Sequence, residues 1–215
     1  MLCRVSAIVI VLSLGTSGIT ADPVSFQNDI LPILSRNGCS SGPCHGNLNG
    51  KGGFKLSLRS EDPRFDFTAL SREMLGRRVD PWNPDASLIL GKATGKIPHE
   101  GGVRFTPSSS DFRRLLQWID SDAPFDEDAP RPVSLSVTPT RQIVFGAAEP
   151  LSLRVNATFS DGSHRDVTDL ASYETTSLGV VRLEANGRVV PEETGGEVVI
   201  LVRYRQLQVP IHLAF

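Results

Sequence analysis

Two hydrophobic periods divide the chain. Up to about residue 122, apolar positions recur at helical spacing. Residues 26–36 (FQNDILPILSR) place Phe26, Ile30, Ile33 and Leu34 on one face, and Pro32 marks a kink or a late helix start. Residues 67–77 (FTALSREMLGR) repeat the pattern with Phe67, Leu70 and Met74 on the apolar side, which predicts a core position for Met74. A short apolar turn at 86–90 starts from Asp85 as N-cap. The strongest pattern is 108–120. Ser108 and Asp111 form a capping-box-like start, and Phe112, Leu115, Leu116 and Ile119 follow at i, i+3, i+4 and i+7. Ala123-Pro124 ends it.

Residues 124–132 (PFDEDAPRP) are acidic and proline-rich, which predicts a stiff, exposed linker. Beyond it the period switches to two. Residues 134–137, 151–159, 180–183, 197–204 and 207–215 alternate apolar and polar side chains, with turn signals at Ser160-Asp161-Gly162, Asn186-Gly187 and Gly195-Gly196. The expected organisation is an α domain over 22–123, the linker over 124–132, and an all-β sandwich over 133–215.

The N-terminus bears on the compartment. Arg4 is followed by an apolar run at 5–14 (VSAIVIVLSL) and a small, polar stretch at 15–21 (GTSGITA). That order is a secretory signal peptide over 1–21, cleaved after Ala21. The run is short for a span of about 20 residues, and no later segment is apolar enough to cross a membrane. The mature chain is expected in the periplasm or at the cell surface. The full chain of 215 residues carries 40% hydrophobic side chains and a net charge of −2. This ordinary, nearly neutral composition offers no electrostatic footprint for nucleic acid.

Cleavage removes Cys3 and leaves Cys39 and Cys44 in the segment Cys39-Ser40-Ser41-Gly42-Pro43-Cys44-His45. Covalent haem attachment needs two thiols and a histidine beside the second, usually with two residues between the cysteines. Here there are four, and Gly42-Pro43 could loop out the additional pair. A Cys39–Cys44 disulfide suits an exported protein equally. A zinc site built from Cys39, Cys44, His45 and a further histidine is a third reading.

Residues 26–124 resemble the planctomycete-type cytochrome c domain. The resemblance rests on FQNDILPILSRNGCSSGPCHG, GFKLSL, GRRVDPWNPDASLILGKATGKIPHEGG and SSSDFRRLLQWIDSDAP, and a branch of that family shares the four-residue spacer. It implies a covalent haem c on Cys39 and Cys44, with His45 as proximal iron ligand. Related domains carry a Met-Pro-Pro segment before the last helix; this chain has Ile97-Pro98-His99 there. Given that departure, the resemblance implies His99 as distal ligand, with Met74 as the alternative. Bis-histidine ligation implies a low potential. Arg77 and Arg78 are candidates for the haem propionates; a solvated helix end explains them equally well. A helical domain of this size buries little apolar area by itself, so the haem is expected to complete its core.

The stretch VNATFSDGSHRDVT (155–168), with Ala171 and Tyr173, resembles the group 2 bacterial Ig-like domain. The two resemblances together imply a multidomain fold class, an all-α cytochrome c-like haem domain plus an all-β Ig-like sandwich. Neither half carries a catalytic triad, a cleft-forming carboxylate pair or a phosphate loop, so an electron carrier is expected rather than an enzyme. Its partners would be an unidentified redox protein and, through the Ig-like part, a cell-surface or other protein. The competing reading is a non-redox surface module in which the two cysteines are structural.

Overall fold

The computed structural model describes residues 23–144, 149–177 and 179–215. The expected signal peptide, with Cys3, lies outside the described residues.

The N-terminal half holds four short α-helices among turns and loops. Ser25 accepts the Asn28 N–H in its hydroxyl and opens a π-turn at Phe26–Ile30, which runs into α1, Leu31–Arg36. Pro32 sits at the start of α1, where a missing N–H is tolerated. Helix α2, Pro63–Ser71, starts after Asp62, whose carboxylate accepts the Phe65 N–H at 3.0 Å. It stops well short of the predicted end, because Met74 and Leu75 turn left-handed at φ 53° and 61°. Met74 is therefore 63% exposed and no part of the core. Helix α3 is Leu88–Ala93, and α4 is Ser110–Asp120. The N-cap of α4 is Ser109, one residue later than expected, accepting the Phe112 N–H at 3.2 Å. Asp111 caps nothing. It is buried, and takes hydrogen bonds from Arg36 at 2.6 Å and Asn37 at 2.8 Å.

Phe26 is the hub of this half, with ring centroids 5.2 Å from Phe67 and 5.3 Å from Trp118. Phe125 joins them, 5.0 Å from Phe67. The 124–132 segment is tied to this half. Asp126 takes the Ser25 hydroxyl and the Gln27 amide, and Asn28 donates to the Pro130 carbonyl.

Ten strands follow: β1 Pro132–Thr138, β2 Arg141–Ile143, β3 Leu151–Ser152, β4 Arg154–Phe159, β5 His164–Asp166, β6 Ser172–Thr175, β7 Val181–Leu183, β8 Arg188–Pro191, β9 Glu197–Tyr204 and β10 Leu207–Ala214. They form three sheets in the orders β1-β4-β5, β2-β10-β9-β6 and β3-β8-β7. The β9–β10 hairpin sets the register, pairing Tyr204 with Leu207 and running back to Glu197 against Ala214. Alternation buries Val198, Ile200, Val202 and Tyr204 on one side of β9.

The expected fold class does not hold. Among the described residues the chain is mostly β-sheet, three sheets of ten strands with only four short helices, and not an all-α cytochrome domain plus an Ig domain. Prolines and left-handed residues cut the helical periodicity into pieces of 6 to 11 residues. Several strands run for only two to four residues, too short to display an alternating pattern. The two halves also share one continuous buried apolar cluster. Tyr204 donates its hydroxyl to the Asn28 carbonyl at 2.8 Å, Arg165 pairs with Asp29, and Arg36 reaches the Ala185 carbonyl at 3.0 Å.

Candidate functional site

The loop after α1 folds on itself through its own backbone. The Cys39 N–H donates to Leu34 O at 2.9 Å, and the His45 N–H donates to Cys39 O at 3.0 Å, which closes the four-residue spacer into a compact turn. Asn47 braces the turn from outside, donating to the Gly42 and Cys44 carbonyls. Glycine is required at 46, where a Cβ would stand 2.0 Å from Ser40 O. The Cys39 and Cys44 side chains therefore leave one side of the turn, and His45 follows them into the same cavity.

That cavity measures about 510 Å3, within the range of small-molecule and cofactor sites. Its wall contains every residue the sequence singles out: Cys39, Cys44, His45, Met74, Arg77, Arg78 and His99. Leu34, Phe54, Leu70 and Ile89 make much of the rest apolar. Both cysteines are free thiols. Burial pushes the Cys39 thiol up to about 12, with Arg104 opposing the shift.

The two histidines are oriented alike. His45 Nδ1 lies 2.9 Å from Phe54 O and 3.1 Å from Lys51 O, so Nδ1 carries the hydrogen and Nε2 keeps its lone pair. Burial lowers the His45 pKa and favours this neutral form. His99 Nδ1 donates to Gly102 O at 2.9 Å, which leaves its Nε2 free in the same way. The rings lie 6.3 Å apart between centroids and within 10° of parallel.

The two arginines differ. Arg77 is exposed at the rim, as a solvated position requires. Arg78 is 8% exposed, donates to Ala69 O at 2.6 Å and lies over the Phe54 ring at 4.3 Å, so a solvated helix end does not describe it. Burial lowers its pKa, with Glu73 at 3.5 Å working the other way. Three participants carry no sequence signal: Arg104, whose guanidinium is 3.6 Å from Cys44 Sγ; Lys51, paired with Glu100 at 2.9 Å across the mouth; and Lys92, donating to Pro98 O at 2.6 Å. Each is an ordinary surface residue in the sequence and comes to the site only through folding.

The donor set fits a flat, covalently held haem. Two thiols, a neutral imidazole and a second imidazole parallel to it line one cavity whose wall includes Leu34, Phe54, Leu70 and Ile89. Among the described residues no three His, Cys, Asp or Glu side chains are placed to hold a metal ion, as a four-ligand zinc set would need. Compared with protein-family models and with curated proteins, the chain matches none.

Proposed function

We propose that this chain is an exported c-type haem protein that passes electrons and turns over no substrate. The observation that carries the reading is the pair His45 and His99, parallel at 6.3 Å, each with Nδ1 tied to a backbone carbonyl, in the cavity that also receives Cys39 and Cys44. Haem would supply a one-electron iron couple. Cys39 and Cys44 would hold it as thioethers, and His45 and His99 would supply the iron ligands, with Met74 of the same cavity lining as the competitor to His99. The carbonyls of Phe54, Lys51 and Gly102 fix both imidazoles in the ligating tautomer and raise their basicity. Phe54, Leu70 and Ile89 give the cavity an apolar wall. Arg77 at the rim is free to meet a propionate, and Arg78 orders the wall behind Phe54.

The signal-peptide pattern supports export to the periplasm or cell surface, and among the described residues no helix is long and apolar enough to cross a membrane. The partner is another redox protein. Ligation by two histidines would place the potential below that of His/Met cytochromes.

The test is expression with export in a host that ligates haem, followed by an absorption spectrum and intact mass. A Soret band that survives acid-acetone extraction, with the mass increased by one haem, is the expected result. An unmodified mass, in a host that loads a control cytochrome, overturns the proposal and leaves a surface module with structural cysteines.

A further inference from the structure

The distal histidine sits in the loop Pro98–Arg104, and its ring is confined from three directions. The His99 N–H···O pair with Gly102 is reciprocal: Nδ1 donates to Gly102 O, and the Gly102 N–H donates to His99 O, both at 2.9 Å. Before the ring, Lys92 holds the Pro98 carbonyl; after it, the Arg104 N–H is anchored on Ala93 O at 2.8 Å. The third confinement is Gly101. A Cβ there would lie 2.7 Å from His99 Cε1, 3.1 Å from His99 Nε2 and 2.9 Å from an Arg104 guanidinium nitrogen. The same guanidinium reaches Cys44 Sγ at 3.6 Å and Asn37 O at 3.4 Å. Arg104 therefore ties the distal loop to the cysteine turn, and the bare Cα of Gly101 is the surface against which the ring's ligating edge rests.

Gly101 is not in the left-handed region, in contrast to its neighbour Gly102 at φ +71°. Alanine at 101 consequently costs nothing in backbone strain. Its whole effect falls on the two flexible groups it would touch, the His99 ring and the Arg104 terminus. We infer that Gly101 and Arg104 are positioning residues that set His99 opposite His45 and so select histidine over Met74 as the distal ligand. The inference rests on the haem reading above. It explains why a methionine in the same cavity wall, 63% exposed and unconfined, is not the partner. Its side chain must be ordered before it can ligate, whereas His99 is already held.

The experiment compares the exported, haem-loaded wild type with Gly101→Ala. The mass should still show one covalent haem, since Cys39, Cys44 and His45 are untouched. The ferric spectrum should lose its bis-imidazole low-spin signature, and affinity for added imidazole should rise about 10–100-fold, the usual reach of second-shell changes at a metal. Adding Met74→Ala should turn any remaining six-coordinate fraction high-spin. An unchanged low-spin spectrum with unchanged imidazole affinity overturns the inference. Should Gly101→Ala fail to accumulate, Arg104→Gln carries the same test. It removes the tie to Cys44 without adding an atom beside the ring, and an unchanged spectrum there is equally fatal. A wild type without haem is a different failure, that of the functional reading.

Discussion

Asp66 is wholly buried on α2, and both its oxygens are occupied by Ser57, the backbone N–H at 2.5 Å and the hydroxyl at 2.8 Å. Desolvation nevertheless dominates and pushes its pKa up from 3.8 to about 6, against the two Ser57 hydrogen bonds. The folded state thus holds a proton over a range in which the unfolded chain has already released it. Stability is then highest below pH 4 for this group and falls as pH rises from about 4 to about 6, by roughly 2–3 kcal/mol. Asp66→Asn keeps an acceptor and a donor for Ser57 but cannot ionise. Urea midpoints measured at pH 4 and pH 7 should differ less in the variant than in the wild type; an undiminished difference would assign the pH dependence to other groups.

At the scale of elements, α4 shows how narrowly a helix start is defined. Ser108, Ser109 and Ser110 are the same residue type in a row, and the capping-box pattern points to Ser108. Only Ser109 turns its hydroxyl to the Phe112 N–H, while Ser108 engages Thr106 on the surface. Ser109→Ala should cost about 1 kcal/mol, and Ser108→Ala should lie within about 0.5 kcal/mol of wild type, as exposed substitutions usually do. Thermal melts of the two variants separate them, and equal effects would contradict the assigned cap. The helix then delivers Asp111 to Arg36 at the end of α1, an ion pair with side chains 10% and 3% exposed. The α1 end that carries the cysteine turn is in this way fastened to α4.

Across the whole molecule, the β half is a structural partner of the cavity-bearing half. Pro32 has no N–H to give the Asn28 carbonyl an α-helical hydrogen bond. The Tyr204 hydroxyl, from the far end of β9, supplies one at 2.8 Å. Tyr204→Phe should therefore cost about 1–2 kcal/mol, more than an exposed hydroxyl would. Asp29, with a side chain 6% exposed, likewise depends on Arg165 of β5. Removing residues 132–215 strips both partners and opens the shared core. The remaining fragment should lose its cooperative thermal transition by circular dichroism; a sharp transition near the full-length temperature would show that the first half stands alone.

The sequence by itself determined where chemistry could reside. Cys39, Cys44 and His45 lie within one short segment, and a local turn suffices to bring them together. It also determined the long alternating strands, since eight residues of β9 display a period that no loop imitates. The N-cap, the extent of α2, the exposure of Met74 and the short strands were not legible. The cap depends on which of three adjacent serines turns to the Phe112 N–H, the end of α2 and the exposure of Met74 on the left-handed turn at 74 and 75, and the short strands on partners distant in the chain. Tertiary structure alone decided that His99 faces His45, that Arg104 bridges their loops and that Arg78 is buried under Phe54. Those contacts join segments 20 to 60 residues apart, and only packing of the whole chain against one core makes them neighbours.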